Sequence, residues 1–390
     1  MRVPLQSLKK KNIREESKQK DSLTPNSVDP SSDILQPIIE MQDIKKIYKT
    51  HAGEFPALKG VSARFYPGQF VSIIGKSGSG KSTLLNMITG IDRPTSGKIL
   101  IDGTYLQDLT ESQFSEWRGR NLGIVFQFFQ LLPMLSLLEN TILPMDFCEM
   151  YSQPEREARA RSLLKMVGLE DFTDQLPSSV SSGQEQCAAI ARALANDPPI
   201  IVADEPTGNL DSKTAELVLQ LIDNLVKQGK TVVVVTHDEA VAQRASRTLV
   251  ICDGELVDEE ISKVIPTISH RSMLNISHQA IQVVKQPGEV FFADTDTLPG
   301  LLILLDGELE IHNKADTKLA KKKTGTIMTS KNIRDHLQTG HKLVAGKHKP
   351  VRLKLVSEED FQNSVASSRS LQRLVNSLNN PSDPSSQGSN

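Results

Sequence analysis

The chain has 390 residues, of which 24% are charged, and a formal net charge of −2 at pH 7. This length accommodates two domains with tails, and the nearly balanced charge does not point to a nucleic-acid partner. The three cysteines, Cys148, Cys187 and Cys252, are widely separated, which is typical of a reducing compartment and excludes a disulfide framework. No apolar run is long enough for a transmembrane helix, and residues 1–10 lack the apolar segment of a secretion signal.

Composition and periodicity divide the chain into five segments. Residues 1–36 are rich in Lys, Ser, Asp and Pro, which predicts a disordered arm. Between 37 and 262 apolar strands alternate with helical patterns, which predicts an α/β domain with a largely parallel sheet. We expect a linker at 263–276 and a small, mostly-β domain of roll type at 277–375, where short strands meet glycine turns. Residues 376–390 are expected to form a disordered tail.

The predicted elements follow in chain order. In the first domain they are strands Val71–Ile74, Gly123–Phe126, Ile200–Ala203 and Thr231–Thr236, with helices Pro154–Met166 and Thr214–Gln228. In the second domain they are strands Gln282–Lys285, Leu301–Leu305, Glu308–Ile311 and Val351–Val356, with a helix near Ser370–Leu378.

The stretch Gly75–Ser82 fits the phosphate-binding pattern G-x-x-x-x-G-K-[ST], and it lies between a predicted strand and a predicted helix start. Glycines allow backbone N–H groups to approach phosphates, and the helix N-terminus adds partial positive charge. Lys81 is expected to reach the β- and γ-phosphates of a nucleotide, and the Ser82 hydroxyl to ligate Mg²⁺. The candidate phosphate-binding residues are Gly75, Lys76, Ser77, Gly78, Ser79, Gly80, Lys81, Ser82 and Thr83.

A pair of carboxylates ends the next candidate strand. Asp204 and Glu205 follow the apolar run Ile200–Ala203. A carboxylate at the tip of a parallel strand beside a phosphate loop can hold Mg²⁺, directly or through water. Its neighbour can orient or deprotonate a water that attacks the γ-phosphate. We therefore predict Asp204 as a metal residue and Glu205 as the catalytic base.

With these motifs in order, the segment from Ile38 to Ile261 resembles the ATP-binding subunits of ABC transporters. The resemblance implies an aromatic side chain, Tyr48, that stacks on adenine, although a core tyrosine is the alternative. It implies that Gln127 senses Mg²⁺ and the attacking water, and that the segment beginning there docks on a membrane subunit. It also implies that Asp211, in Asn209-Leu210-Asp211, crosses the interface of an ATP-bound homodimer and that His237 contacts the γ-phosphate.

The signature segment departs from the L-S-G-G-Q pattern of this family. Here the chain reads Val180-Ser181-Ser182-Gly183-Gln184 and, three residues later, Cys187 replaces a basic residue. The resemblance implies that Ser181, Ser182, Gly183 and Gln184 serve the ATP held by the opposite subunit. A Cβ at Ser182 would cost about 1–2 kcal/mol if the backbone there were left-handed, so we expect slower dimer closure with ATP binding retained.

The subtype is similar to the ATPases of lipoprotein release and macrolide export, the LolD/MacB type. The resemblance rests on Phe126–Pro133, on Ala57–Ser62 and on Asp204–Asp211. It implies an integral-membrane permease partner, and hence a cytoplasmic protein held at the inner face of the cell membrane through that partner. The cofactors that it implies are ATP and Mg²⁺.

The second predicted domain resembles the β-roll of cyclic-nucleotide-binding proteins. Gln286–Phe292 and Leu301–Ile311 match the opening of such a roll, and Leu353–Phe361 matches its last strand and first helix. The ligand cassette is missing, because His341 stands near the position where the family grips the cyclic phosphate with an arginine. The sequence therefore predicts no binding of cyclic nucleotides, and it predicts that Lys314–Lys323 and the histidines at 336, 341 and 348 are solvated loop residues.

Two other functions are weighed against a transport ATPase. A slow ATPase that acts as a regulatory or scaffold protein through its C-terminal domain is the alternative that the altered signature keeps open. A soluble ABC ATPase of DNA repair or translation would carry a coiled-coil insertion or a second ATPase domain, and the chain has one phosphate loop and no long heptad segment.

Overall fold

The computed structural model describes residues 36–51, 53–208, 210–337 and 340–380. Nearly all of the predicted arm 1–36 lies outside the described residues, as do most of the predicted tail 376–390 and Asn209 of the predicted interface loop.

Strands between residues 39 and 256 form two sheets. In chain order they are β1 (Ile39–Thr50), β2 (Gly53–Phe65), β3 (Phe70–Ile74), β4 (Ser96–Ile101), β5 (Thr104–Tyr105), β6 (Leu122–Val125), β7 (Ile200–Asp204), β8 (Thr231–Thr236), β9 (Arg247–Cys252) and β10 (Glu255–Leu256). The order β2–β1–β4–β5 is antiparallel, whereas β10–β9–β3–β8–β7–β6 is parallel except at its β9–β10 edge. The four strands predicted for this region all occur, within one residue at each end.

The helices of this region are α1 (Lys81–Thr89), α2 (Glu111–Asn121), α3 (Leu137–Phe147), α4 (Gln153–Met166), α5 (Ser182–Ala193), α6 (Ser212–Lys227) and α7 (Glu239–Arg244). Strand β8 is buried throughout, and its alternate valines enter two different cores. Val232 and Val234 pack against helices α3 to α6, whereas Val233 and Val235 pack against α1 and the antiparallel sheet. This two-sided burial explains why the central strand is a run of valines.

The expected linker at 263–276 is packed secondary structure. Helix α8 (Glu259–Val264) is followed by α9 (His270–Gln279), and Ile265, Met273 and Ile276 are buried. Only a few apolar residues stand between polar ones in α9, so its sequence does not reveal the helix. The helix is stabilised by burial of one face, since tertiary packing routinely overrides propensity.

The C-terminal module, residues 281–379, contains two antiparallel sheets and three helices. Its strands are β11 (Ile281–Lys285), β12 (Val290–Ala293), β13 (Leu301–Asp306), β14 (Glu308–His312), β15 (Lys318–Lys323), β16 (Ile327–Thr329), β17 (Lys342–Ala345) and β18 (Val351–Val356); its helices are α10 (Ser330–His336), α11 (Glu358–Ser367) and α12 (Arg369–Asn379). The sheets have the orders β11–β18–β13–β16 and β12–β17–β14–β15. Residues 376–379, assigned above to the tail, form the last turn of α12.

Apolar side chains fill the interior of the C-terminal module. Leu302, Leu304, Leu309, Ile311, Met328, Ile333, Leu343, Ala345, Val351 and Leu353 form one buried cluster. His341 is only partly buried, and its Nδ1 lies 3.3 Å from the His336 carbonyl oxygen. That the module does not bind cyclic nucleotides stays a prediction. An interior filled by apolar side chains agrees with it.

The lysine run is partly a strand, which corrects the expected loop. Lys318–Lys323 forms β15, the edge of its sheet, and pairs antiparallel with β14. The Lys318 ammonium lies 2.5 Å from a carboxylate oxygen of Glu310, and the Lys321 ammonium lies 2.5 Å from a carboxylate oxygen of Glu308. The acidic residues of β14 therefore stabilise a strand that lysine alone disfavours, since opposite charges across a pair of strands attract.

The C-terminal module shares a hydrophobic core with the parallel sheet. Val250 and Cys252 of β9, Met273 of α9 and Leu301 and Val356 of the module belong to one buried cluster. The last residue of β3, which leads into the phosphate loop, also packs against this cluster. We name this set of contacts the shared core.

Ion pairs accompany the shared core. The Lys354 side chain on β18 is 7% exposed, and its ammonium pairs with Asp258 and, at 3.4 Å, with Glu260. Arg352 also pairs with Glu260, at 2.9 Å. Asp258 caps α8 through its other carboxylate oxygen, so one side chain both starts that helix and neutralises a buried cation.

In the part of the chain that the structure describes, no helix has the length and apolar composition needed to cross a membrane.

Candidate nucleotide-binding site

The phosphate loop connects β3 to α1 and requires glycine for two different reasons. Gly78 and Gly80 have φ values of 76° and 107°, a region that residues with a Cβ rarely adopt. Gly75 has ordinary backbone angles, but a Cβ there would overlap the carbonyl oxygen of Ile251 on β9. The loop is therefore pressed against the neighbouring strand.

The N-terminus of α1 opens onto the loop. Gly80 precedes the helix, no side chain caps it, and its first turn contains no acidic residue. Such a terminus presents N–H groups and the positive end of the helix dipole to an anion. The Lys81 ammonium bridges the loop and donates hydrogen bonds to the carbonyl oxygens of Gly75 at 2.9 Å and Lys76 at 3.1 Å. It is held where phosphate oxygens could replace those carbonyls.

One cleft of about 530 Å³ brings most of the predicted residues together. Its lining comes from the phosphate loop, from the ends of β6, β7 and β8, and from the β1–β2 hairpin. The residues are Phe55, Ala57, Gly75, Lys76, Ser77, Gly78, Gly80, Lys81, Ser82, Thr83, Gln127, Asp204, Glu205 and His237. Parallel strands explain this convergence, because their carboxyl ends meet at the same edge of the sheet.

The Asp204 carboxyl group lies in the cleft beside Ser82 and Lys81. Burial raises its pKa, and the Ser82 hydroxyl and the Lys81 charge partly oppose that shift. Ser82 and Asp204 therefore place a hydroxyl and a carboxylate together at the base of the cleft. Oxygen donors of this kind suit Mg²⁺.

The Glu205 carboxylate is fixed by contacts from the end of β8. Its Oε1 lies 2.8 Å from His237 Nδ1, while its Oε2 accepts a hydrogen bond from the Thr236 hydroxyl at 3.2 Å. The backbone of Glu205 has φ 48° and donates to the Val235 carbonyl at 2.8 Å. A left-handed residue at a strand tip is strained, and here that conformation carries the carboxylate into the cleft.

Tyr48 is absent from the lining of the cleft, while Phe55 contributes to it. The Tyr48 hydroxyl donates to Asp92 at 3.0 Å, and Lys46 Nζ lies 4.9 Å from its ring centroid. Phe55 is directly opposite Tyr48 in the β1–β2 hairpin and is 56% exposed. Phe55 was not predicted as a site residue, although the pairing of Thr50 with Gly53 sets Phe55 across from Tyr48.

The signature segment begins α5 and does not contribute to the cleft lining given above. Ser181 is the N-cap, and Gln184 completes a capping box, with the Ser181 N–H 2.8 Å from Gln184 Oε1. Ser182 is the first residue of the right-handed helix. The left-handed backbone on which the expected cost of Ser182 depends is therefore not present, and the cost does not apply.

Asp211 begins α6 in the same way. Its Oδ1 accepts from the backbone N–H groups of Lys213 at 3.0 Å and Thr214 at 3.1 Å, and its Oδ2 accepts from the Thr214 hydroxyl at 2.6 Å. These bonds, with that of the hydroxyl first, hold the pKa of Asp211 below its usual range. The side chain predicted to cross a dimer interface is thus an ionised helix cap within its own chain.

The family is decided by comparison with known proteins. The profile of the ABC transporter family matches residues 58–208, which include the phosphate loop, Gln127, the signature segment and the carboxylate pair. An uncharacterized ABC transporter ATP-binding protein of Thermotoga maritima is 46% identical over 222 residues, which are 57% of this chain and 94% of that protein. The chain belongs to the ABC transporter ATP-binding proteins.

Two further proteins extend the comparison of this ABC ATPase. The macrolide export ATP-binding/permease protein MacB of Syntrophobacter fumaroxidans is 44% identical over 243 residues, or 60% of this chain, which spans only 34% of MacB. The dimeric ATP-binding cassette MJ0796, in a post-hydrolysis state bound to ADP and Pi, is 46% identical with a TM-score of 0.55. That match covers 56% of this chain and 97% of the other. The predicted family, fold class and ATPase activity are thereby confirmed.

The altered signature of this ABC ATPase has a buried thiol. Cys187 is 7% exposed, and burial, with the nearby Asp211 charge, raises the pKa of its thiol to about 11. The adjacent Gln186 is also buried, and neither polar atom of its side chain has a hydrogen-bond partner. A buried amide without hydrogen bonds lowers the stability of the fold. In a single chain, this turn of α5 therefore carries an unfavourable polar group.

Proposed function

We propose that this ABC ATPase hydrolyses Mg²⁺-bound ATP at two composite sites of a homodimer and that it drives a separate membrane permease. The observation that carries the proposal is the single cleft in which the phosphate loop, Asp204, Glu205 and His237 converge. The nucleotide phosphates would lie on the loop and on the N-terminus of α1, with Lys81 exchanging its two carbonyl partners for phosphate oxygens.

The structure supports Glu205 as the base that orients the attacking water. One carboxylate oxygen contacts His237 and the other contacts Thr236, so its direction is fixed before substrate arrives. The side chain is 11% exposed, whereas that of His237 is 74% exposed. The carboxylate would accept a proton from water, and the exposed imidazole is free to contact the γ-phosphate while it positions Glu205.

The donor set at the base of the cleft fits Mg²⁺. Ser82 and Asp204 offer a hydroxyl and a carboxylate, and Gln127 lines the same cleft from the end of β6. Among the described residues, no cluster of three or more His, Cys, Asp and Glu side chains is arranged to hold a metal unaided. We infer that the ion would arrive with the nucleotide, as Mg²⁺ in such sites takes phosphate oxygens and waters as its other ligands. When bound, it would neutralise charge on the phosphates.

The signature segment supports the homodimer. Ser181, Ser182, Gly183 and Gln184 form the start of α5, outside the cleft of their own chain, and the two serines are exposed. The N-terminus of a helix attracts a phosphate through the positive end of the helix dipole. In the proposed dimer each signature segment would therefore complete the cleft of the other subunit, and Asp211 would lie at the interface.

A groove beside the docking segment supports the permease partner. It has a volume of about 990 Å³ and is lined from β6, α2, α3 and α5, with Phe126, Phe147, Arg118 and Glu149 among its residues. Phe147 is 79% exposed there, and the nearby segment 127–139 exposes Phe128 and Met134. Exposed aromatic and methionine side chains rimmed by charge are typical of a protein interface. We infer that a short helix of the permease docks here and holds the ATPase at the inner face of the membrane.

ATP turnover with and without a candidate permease tests this function. The permease gene would be sought beside that of the ATPase, and the complex reconstituted in lipid. We expect Mg²⁺-dependent hydrolysis that Lys81→Ala abolishes, and loss of complex formation when Phe147 and Phe128 are changed to Ser. Hydrolysis that is unaffected by Lys81→Ala would contradict the site, whereas binding that is unaffected by the two serine substitutions would contradict the docking groove alone.

A further inference from the structure

A second cavity, of about 610 Å³, lies on the C-terminal module, far along the chain from the ATP site. We name it the basic groove, and it is lined by Gly307, Glu308, Lys321, Lys323, Thr324, Gly346, His348 and Lys349. Three chain segments contribute to it: the β13–β14 turn, the end of β15 and the β17–β18 loop. Its cations therefore come from two segments that are separated in sequence.

The chain segment that forms this groove is rich in basic residues. Residues 306–349 contain ten Lys and Arg residues against five Asp and Glu residues, which leaves 35 basic and 42 acidic residues for the rest of the chain. In a protein of net charge −2, this segment thus has five more basic than acidic residues. Such a local field raises the concentration of anions near its surface.

Two of the three lysines that line the groove are paired with carboxylates. Lys321 pairs with Glu308 at 2.5 Å, and Lys349 pairs with Asp306 at 2.5 Å. Lys321 and, more weakly, Lys318 and His348 hold the pKa of Glu308 below its usual range. Lys323 forms no ion pair within 4.0 Å with any described residue, and its side chain is exposed. The groove therefore retains at least one uncompensated ammonium beside two partly compensated ones.

A structural explanation accounts for only part of this pattern. Lysines on an edge strand prevent pairing with other chains, and β15 is such an edge. That explanation covers Lys321 and Lys323 but not Lys347, His348 and Lys349, which lie in the β17–β18 loop. Protection of an edge also does not require a concave surface into which both segments turn their cations.

We propose that the basic groove binds a phosphorylated anion, either a free polyphosphorylated solute or the phosphate headgroup of an anionic lipid. Lysine ammonium groups act as point charges toward phosphate, and the volume is in the range of small-ligand sites. The groove is open and lined by charge, so it suits a highly charged ligand and not an apolar one. The site is separate from the ATP cleft and would give the C-terminal module a ligand of its own.

The experiment uses the full chain with a non-hydrolysable ATP analogue filling the cleft, so that the phosphate loop cannot take up the probe. Tripolyphosphate is titrated by calorimetry. In parallel, phosphatidylcholine vesicles with and without phosphatidylglycerol are tested by co-sedimentation. The variant is Lys323→Glu, and the matched control is Lys331→Glu, which makes the same charge change at an exposed residue of α10 outside the groove.

We expect Lys323→Glu to weaken binding of at least one probe about tenfold or more, and Lys331→Glu to change it less than about twofold. Binding of tripolyphosphate alone indicates a soluble ligand, and binding of phosphatidylglycerol vesicles indicates a lipid headgroup. The proposal is overturned if the native chain binds neither probe at low ionic strength, where attraction is least screened. It is also overturned if both variants weaken binding equally, because that would reflect net charge alone. Binding of the ATP analogue by each variant shows that it is folded.

Discussion

Glu205 and His237, which directly follow the neighbouring parallel strands β7 and β8, lie 2.8 Å apart between Oε1 and Nδ1. The histidine is exposed and the glutamate is not, so the pair joins a fixed carboxylate to an imidazole that faces the cleft. In Glu205→Gln the side chain keeps its size and loses its basicity. We expect turnover to fall by roughly 10²–10⁴, as for removal of a positioned base, while ATP binding is retained.

Glu239→Gln is the matched control for that variant, because Glu239 begins α7 just beyond His237 and is exposed. The measurements are steady-state ATP hydrolysis and equilibrium binding of a fluorescent ATP analogue. Turnover of Glu205→Gln at the native rate would show that another group activates the water.

The two glycine requirements of the phosphate loop can be separated. Gly75→Ala places a methyl group on the Ile251 carbonyl, whereas a Cβ at Gly78 meets no atom within 4 Å. We expect Gly75→Ala to lose nucleotide binding and to unfold at a lower temperature. Gly78→Ala should lower the free energy of unfolding by only about 1–2 kcal/mol, the cost of an alanine in the left-handed region. Thermal denaturation with and without ATP measures both effects, and equal behaviour of the two variants would contradict the close approach of the loop to β9.

The buried Asp204 carboxylate, which is predicted to hold Mg²⁺, lowers the stability of the nucleotide-free fold at neutral pH. Burial raises its pKa, so the folded state binds the proton more tightly than the unfolded state does. The resulting stabilisation is present at low pH and is lost as pH rises through the folded-state pKa. In Asp204→Asn no charge is buried, so at neutral pH we expect the nucleotide-free variant to be at least as stable as the native chain, with Mg²⁺-dependent turnover lost. Urea denaturation across pH tests this, and a large loss of stability at pH 7 would contradict it.

Ser182→Gly tests the signature segment. Since Ser182 is the first residue of α5 in a helical conformation, restoring glycine removes no strain and loosens the helix start by up to about 1 kcal/mol. We expect turnover to stay within about twofold of the native value. A rise of tenfold would show that the serine side chain hinders the opposite subunit, which a single chain does not reveal.

Lys354→Met tests the ion pairs at the shared core. The substitution removes a buried cation and leaves Asp258 and Glu260, each about one-third exposed, without it. Because solvent reaches these carboxylates, we expect a loss of about 1–3 kcal/mol in the free energy of unfolding, below the value for a fully buried pair. Lys331→Met, at an exposed residue, should change stability by less than about 0.5 kcal/mol. Chemical denaturation compares the two variants.

The parts of the fold that the sequence predicts well are local. The strand before Gly75, the helix after Ser82 and the valine run of β8 each appear in a short window of residues, and the structure contains them nearly as expected. Convergence of Gln127, Asp204 and His237 was also predictable, because strand ends of a parallel sheet share an edge.

The parts that the sequence does not predict depend on distant contacts. Helix α9 is stabilised by a core that joins strand β9 to strands and helices of the C-terminal module, and strand β15 is stabilised by carboxylates of β14. Phe55 reaches the cleft through hairpin register. Neither composition nor periodicity within a window contains that information, because each element takes its conformation from partners far away in sequence.

The shared core has a consequence for how the molecule unfolds. Ile74, the last residue of the strand that leads into the phosphate loop, packs against the cluster that contains Leu301 and Val356 of the C-terminal module. Opening of either region at this point therefore exposes apolar surface of the other. Regions that share a hydrophobic core unfold as one cooperative unit. Nucleotide binding, which stabilises only the folded state, should therefore slow amide hydrogen exchange in β13 and β18, although neither strand lines the cleft.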